Sequence, residues 1–393
     1  MVNENMKKLG QERSAIREIF EYGNARASEI GRENVFDFSL GNPNVPAPDC
    51  VREEIEKLLV KVPAQQLHGY TSAAGAPEVR NAVADYIRAA FGVSARADLI
   101  YMTCGAAASL SIVLHALCEK GDEFVIVTPC FPEYRVFIEA AGGRVTEARA
   151  NEAFHLDLAA LDRAVGTRTK GVIINSPNNP TGVVYGEEEI CALAELLKRK
   201  SAEKGAPVVL IADEPYRELT YGARVSYLPK YYADTIVCYS FSKSLSLAGE
   251  RIGYISVSPA CAGAEDLFAA VCGAGRSLGY VCAPALFQRV CAACLGKSSS
   301  LRAYEENRDL LYNALTEYGF SCIRPDGAFY LFIKSPEEDA AAFCARAKAY
   351  ELLLVPSDSF GIKGYVRISY CVSKQMIERA LPAFLKLANE YKK

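Results

Sequence analysis

Between residues 98 and 258, six short runs rich in β-branched and aromatic residues alternate with segments of helical periodicity. The runs are "DLIYMT", "EFVIVT", "KGVIIN", "APVVLIAD", "DTIVCYSF" and "RIGYISVS". Between them lie stretches such as "EEEICALAELLKRKSAEKG", whose apolar residues recur with the period of a helix. Strands apolar on both faces and joined by helices require a mostly parallel sheet covered on both sides, so the fold class is α/β. A chain of 393 residues exceeds what one hydrophobic core usually holds, and two domains are expected. Past about residue 285 the pattern changes. A helix through "SLRAYEENRDLLYNALTEYG" leads to strands "AFYLFI", "LLLVPS" and "YVRISY", then to a closing helix from about Lys374. These elements read as a smaller α+β domain, joined by the N-terminal segment with "NVFDFSL", since chain ends often pack together. The expected division is 1–45 with the smaller domain, 46–284 as the larger domain, and 285–393 completing the smaller one.

Charge and composition narrow the partners. Net charge is −3 with the two signs mixed along the chain, which disfavours nucleic acid and anionic membrane. The longest apolar runs fall far short of the ~20 residues that span a bilayer. The opening "MVNENMKKLGQERSAIREIF" lacks the apolar core of a signal peptide, so a cytoplasmic location is expected. Fourteen cysteines lie scattered through apolar stretches, as small buried hydrophobes do in a reducing compartment. The one Cys-x-x-Cys, Cys291 to Cys294, sits in "PALFQRVCAACLGK" and reads as a helix face, so no metal site is expected.

In open α/β sheets ligands bind beyond the carboxyl ends of the strands. There "DLIYMT" is followed by Cys104-Gly105-Ala106-Ala107, "EFVIVT" by "PCFPEY", and "KGVIIN" by "SPNNPTG". "APVVLIAD" is followed by "EPY" and "DTIVCYSF" by "SKS". Gly105, Ala106 and Ala107 open a helix, where free N–H groups favour an anion, and Ser240, Ser242 and Arg251 add further donors. "GAGRSLG" at 273–279 has neither the Rossmann nor the P-loop glycine spacing, so a dinucleotide is disfavoured. In "YSFSKSLSLAGERIGY" a period of two places Ser240, Ser242, Ser244 and Ser246 on one face. Phe241, Lys243, Leu245 and Leu247 fall on the other. A charged lysine in an apolar register is costly, whereas an imine with an aldehyde is not. Lysine, carboxylate and phosphate cup together point to pyridoxal phosphate, with Asp213 at the ring nitrogen as electron-sink partner.

"NSPNNPTGVVY", "IADEPYREL" and "SFSKSLSLAGERIGY" resemble, in order and spacing, the class I/II aminotransferases of pyridoxal-phosphate fold type I. "HGYTSAAGAPEVRNAVADYI" is similar to that family's Tyr-x-x-x-x-Gly-x-x-x-Leu-Arg segment, and "YVRISY" to its C-terminal arginine strand. The likeness runs from about residue 35 to the end. It implies a seven-stranded, mostly parallel sheet in the larger domain. It makes Lys243 the Schiff-base lysine and proton shuttle and Asp213 the partner of the pyridinium nitrogen. Asn179 and Tyr216 would bond the cofactor's 3′-oxygen, and Phe131 would stack on its ring. The phosphate would be held by the 105–107 amides, Ser240, Ser242 and Arg251, and by Tyr70 from a second subunit of a homodimer. Arg367 would grip the substrate α-carboxylate, helped by the backbone at Gly41.

The reaction the resemblance implies is a ping-pong transamination between an aspartate-like amino acid and a 2-keto acid such as 2-oxoglutarate. One departure bears on the donor. Where aspartate-type relatives read Gly-Gly-Lys-x-Ala-Leu, this chain reads "GAAASL", with Ala107 in place of the lysine. Arg276 in "GAGRSLGY" is a candidate replacement, and an exposed arginine is the plainer reading. Alanine- or aromatic-specific transamination, a C–S β-lyase on the same fold, and a non-enzymatic cofactor-sensing regulator remain as alternatives.

Overall fold

The computed structural model describes residues 1–11 and 15–392. Its strands are, in chain order, β1 (Phe36–Asp37), β2 (Ile100–Thr103), β3 (Glu123–Thr128), β4 (Arg144–Arg149), β5 (Thr169–Asn175) and β6 (Val209–Asp213). They continue with β7 (Thr235–Ser240), β8 (Gly253–Val257), β9 (Tyr330–Lys334), β10 (Leu352–Leu353), β11 (Val355–Pro356) and β12 (Tyr365–Ser369). The chain divides into two compact units. The larger comprises Val45–Asn178 and Val183–Leu301; the smaller comprises Met1–Asn44, Asn179–Gly182 and Arg302–Lys393.

In the larger unit seven strands form one sheet in the order β2-β8-β7-β6-β5-β3-β4. All neighbours are parallel except β8, which runs antiparallel to β2 and β7. This is the mostly parallel seven-stranded sheet expected. Its central strands are buried on both faces: Ile126, Ile173, Ile211 and Ile236, aligned in register, pack on one with helix residues such as Leu110, Leu114, Ile138 and Val271, and Val125, Val172, Leu210 and Val237 are buried on the other. Such double-sided burial, at roughly 25 cal/mol per Å² of apolar surface, is the principal stabilising contribution in a sheet of this kind. Register lines up the strand ends: Asn175 pairs with Asp213, and Ser240 with Gly253, which also pairs with Thr103.

The smaller unit holds two short sheets. β1 pairs with β10, and β12 lies between β11 and β9. "LLLVPS" is therefore not one strand. Leu354 is the step between β10 and β11, which belong to different sheets. The helix Leu301–Tyr318 and the closing helix Lys374–Asn389, capped by Ser373 Oγ on Met376 N, complete the unit. Among the described residues no helix is long and apolar enough to cross a membrane.

Candidate active site

In the larger unit, the polar residues at the ends of β2, β6 and β7 form two connected groups. The first is an anion cup. β7 ends at Ser240, whose Oγ accepts from Ser242 N (3.2 Å) and bonds Ser242 Oγ (2.9 Å), capping the helical turn Phe241–Ser244. Arg251 Nη1 donates to Ser242 Oγ at 3.1 Å. On the other side, Gly105 precedes the helix Ala106–Leu117 with φ 87°, a left-handed conformation that favours glycine. A Cβ there would also lie 2.7 Å from Arg251 Nη2. Free helix N–H groups, two hydroxyls and a guanidinium thus surround a space too close to the backbone for a side chain at 105, as a phosphate requires.

Lys243 lies in the short turn after β7 and is half-buried. The resemblance implies that the period of two gives way to a loop beyond Lys243; the strand stops earlier, at Ser240, and a helical turn follows. Phe241, Ser242 and Ser244 are all buried together, because a helical turn replaces the strand's two-face pattern. Ser244 Oγ bonds Tyr239 Oη at 2.9 Å inside the core.

The second group surrounds Asp213, the last residue of β6, only 4% exposed. Tyr134 Oη donates to Asp213 Oδ2 at 2.5 Å, and Asn175 Nδ2 donates to the Asp213 carbonyl at 2.9 Å. Burial raises the Asp213 carboxyl to about 7; the Tyr134 hydrogen bond pulls it down and the Glu214 charge pushes it up. Asp213 Oδ1 is buried without a hydrogen-bond partner in the protein. An orphaned carboxylate oxygen in such surroundings fits a protonated ring nitrogen, and with the anion cup it matches the two ends of pyridoxal phosphate. Phe131 is partly buried, with its ring edge-to-face on Tyr134 at 5.6 Å. Tyr216 is 5% exposed on the segment after Asp213. Tyr134 was not anticipated from sequence. Its one signal is its place three residues after Phe131, in the first turn of the helix Glu133–Ala140.

The smaller unit holds the other expected residues. Arg367, on β12 and 2% exposed, donates through Nη1 to Asn179 Oδ1 (3.1 Å) and through Nη2 to the Ser39 carbonyl (2.5 Å). Its guanidinium carbon lies 4.7 Å from the Tyr330 ring centroid and 5.1 Å from that of Phe360. Two neutral oxygens and two rings hold the fork in one orientation. Gly41 has no room for a side chain, because a Cβ there would run into Tyr330 Oη. Ser39, Tyr330 and Phe360 had no signal in the sequence.

Two further expected residues lie at the surface of the larger unit. Tyr70 is 98% exposed, and Arg276 is exposed in the last turn of the helix Ala264–Leu278.

The family model described as "Aminotransferase class I and II" matches residues 33–384. An aspartate/prephenate aminotransferase of Thermus thermophilus is 31% identical over 93% of this chain and 94% of its own. The crystal structure of an amino transferase from Eubacterium rectale superposes with TM-score 0.97 at 53% identity, covering 100% of both chains. An aspartate aminotransferase from Thermotoga maritima superposes with TM-score 0.87 at 28% identity, over 99% of this chain and 100% of that one. With an anion cup and an orphaned carboxylate at the strand ends, this chain belongs to the class I and II aminotransferases, pyridoxal-phosphate-dependent transaminases.

Proposed function

We propose that this enzyme transfers the amino group of an aspartate-like L-amino acid to a 2-keto acid such as 2-oxoglutarate, by a ping-pong cycle in the cytoplasm. The observation that carries the reading is Asp213, whose Oδ1 is left for a partner while Oδ2 is held by Tyr134. Relatives named for aspartate support the donor class. When bound, pyridoxal phosphate supplies an aldehyde that links to amines and a ring that accepts electron density from the substrate Cα.

The chain's residues do the rest. Gly105, Ala106, Ala107, Ser240, Ser242 and Arg251 hold the phosphate; Phe131 stacks on the ring, and Asn179 and Tyr216 bond its 3′-oxygen. Asp213 holds the proton on the ring nitrogen. Lys243 Nζ would anchor the aldehyde and, as a free amine, would move the proton at the substrate Cα. Arg367 takes the α-carboxylate in a bidentate fork, with Asn179 and the Gly41 backbone beside it. In this scheme residues 46–284 are the cofactor-binding domain, and 1–45 with 285–393 the smaller one.

We also propose a homodimer in which Tyr70 reaches the partner's phosphate. Tyr70 at 98% exposure, with Val60 at 86% and Leu59 at 57%, supports burial of this region by a second copy. Full activity of a monomer on dilution would contradict it.

A donor screen with 2-oxoglutarate and with pyruvate, followed at the cofactor absorbance band, tests the reaction. Turnover with aspartate and 2-oxoglutarate is expected. Ala107 favours alanine or an aromatic donor as the second reading, and faster turnover with those would replace aspartate. Release of pyruvate and ammonia without a keto-acid acceptor would establish a β-lyase instead. Arg367→Lys keeps the charge and loses the fork, and is expected to raise KM for amino donors by roughly 10- to 100-fold. An unchanged KM would remove Arg367 from the carboxylate site.

A further inference from the structure

The segment leaving β6 bears Asp213 and Tyr216, and its neighbours Glu214 and Arg217 are charged side chains turned into the protein interior. Arg217 is 7% exposed and Glu214 3%. Arg217 Nε donates to Glu214 Oε2 at 2.5 Å and Nη2 pairs with the same oxygen, while Nη1 donates to Tyr254 Oη at 3.2 Å. The guanidinium carbon lies 4.6 Å from the Tyr239 ring centroid, 5.0 Å from Phe91 and 5.1 Å from Tyr227. Phe91 and Tyr227 are themselves stacked, 4.1 Å apart at 11°. Glu218, one residue further on, is hydrogen-bonded by Tyr239.

Stability alone is a weak reason for this cluster. A buried ion pair is often no more stabilising than apolar residues of the same shape. Its position is more telling. Tyr239 and Tyr254 are paired directly across β7 and β8, and the next pair in that ladder is Ser240 with Gly253. The Arg217 side chain therefore ties the Asp213–Tyr216 segment to the strands that end in the phosphate cup. Glu214 is also the residue next to Asp213, and its negative charge acts on that carboxyl.

We propose that Arg217 is a positioning residue for the cofactor's ring nitrogen: it neutralises Glu214 and locks the Asp213–Tyr216 segment against β7 and β8, so that Asp213 meets the ring as a carboxylate. The inference rests on the role assigned to Asp213 above. The groups facing Asp213 include Tyr134 from the helix Glu133–Ala140, Cys238 from β7, and Glu214 on its own segment. Those facing Glu214 are Arg217 and Glu218 on its own segment, Tyr86 from the helix Pro77–Phe91, Tyr227, Cys238 and Tyr254. Arg217 is the cation that acts on Glu214. Burial raises both carboxyls and Arg217 holds Glu214 down, so without it the Glu214–Asp213 pair gives up its protons at higher pH.

The test is the equilibrium affinity of the cofactor-free protein for pyridoxal 5′-phosphate as a function of pH. Four proteins are compared: wild type, Arg217→Met, Arg217→Lys and Glu214→Gln. The pH midpoint of binding is expected to rise by about one pH unit in Arg217→Met, with roughly tenfold weaker binding near neutrality. Arg217→Lys retains the charge and keeps the midpoint near that of the wild type. Glu214→Gln, nearly isosteric and neutral, moves it down, and tests the same charge balance should Arg217→Met not fold. Uniform weakening at every pH with unmoved midpoints would show a purely structural role and overturn the proposal. A wild type whose cofactor affinity is indifferent to Asp213→Asn would instead overturn the assignment of Asp213 itself.

Discussion

Lys243→Ala is expected to abolish the cofactor absorbance band and to reduce transamination by at least about three orders of magnitude. No neighbouring side chain replaces an amine that both anchors the aldehyde and shuttles the proton at Cα. Lys243 is the lysine of the turn Phe241–Ser244, set there by the Ser240 cap at the end of β7. Arginine at this position is not expected to rescue, since a guanidinium stays protonated and is no nucleophile near neutral pH. Spectra of purified protein titrated with pyridoxal phosphate, alongside steady-state kinetics, check both statements. A variant that retained the band would place the covalent anchor elsewhere.

Asp213→Asn is expected to act in opposite directions on activity and on stability. The variant has no carboxylate for the ring nitrogen, and turnover should fall by about two to three orders of magnitude, as when a preorganised electrostatic partner is removed. The cofactor-free protein, in contrast, should become more stable. Burial raises the Asp213 carboxyl from 3.8 to about 7, so the folded state holds a proton that the unfolded chain has already released across that interval. Stability is therefore lost as pH rises from about 4 through about 7, by at most ~4 kcal/mol for three pH units. Asparagine removes that cost but buries an amide beside Tyr134, which returns ~1–3 kcal/mol of it. Melting curves should show the variant the less stable protein near about pH 4, where only the amide cost acts, and the largest advantage for the variant above about pH 7. An advantage that did not change with pH would mean that ionisation of Asp213 is not its source. The residue is thus costly to the empty fold, and the proposed role at the ring nitrogen accounts for that cost.

How much of this was legible beforehand depends on the range of each signal. Six apolar runs showed the sheet, because a doubly covered parallel strand is apolar in consecutive residues. β4 escaped that reading. It is the edge strand "RVTEAR", paired only with β3 and largely exposed, so it has no apolar run to show. The end of β7 comes at Ser240, before the change to a loop expected beyond Lys243. Serines alternate with bulkier residues through Leu247, and only the cap at Ser240 reveals that a helical turn has begun.

The sequence by itself determined which residues stand at the strand ends. Gly105, Asp213, Ser240 and Lys243 each follow an apolar run closely, and chain connectivity makes such placements local. Only the tertiary structure decided who their partners are. Tyr134 reaches Asp213 across 79 residues, and Arg367 reaches Asn179 across 188. Arg217 is enclosed by rings from three distant segments, Phe91, Tyr227 and the β7–β8 pair. Such contacts follow from strand order and register, which no window of sequence encodes, and they leave Asp213 with one oxygen held and one without a partner in the protein.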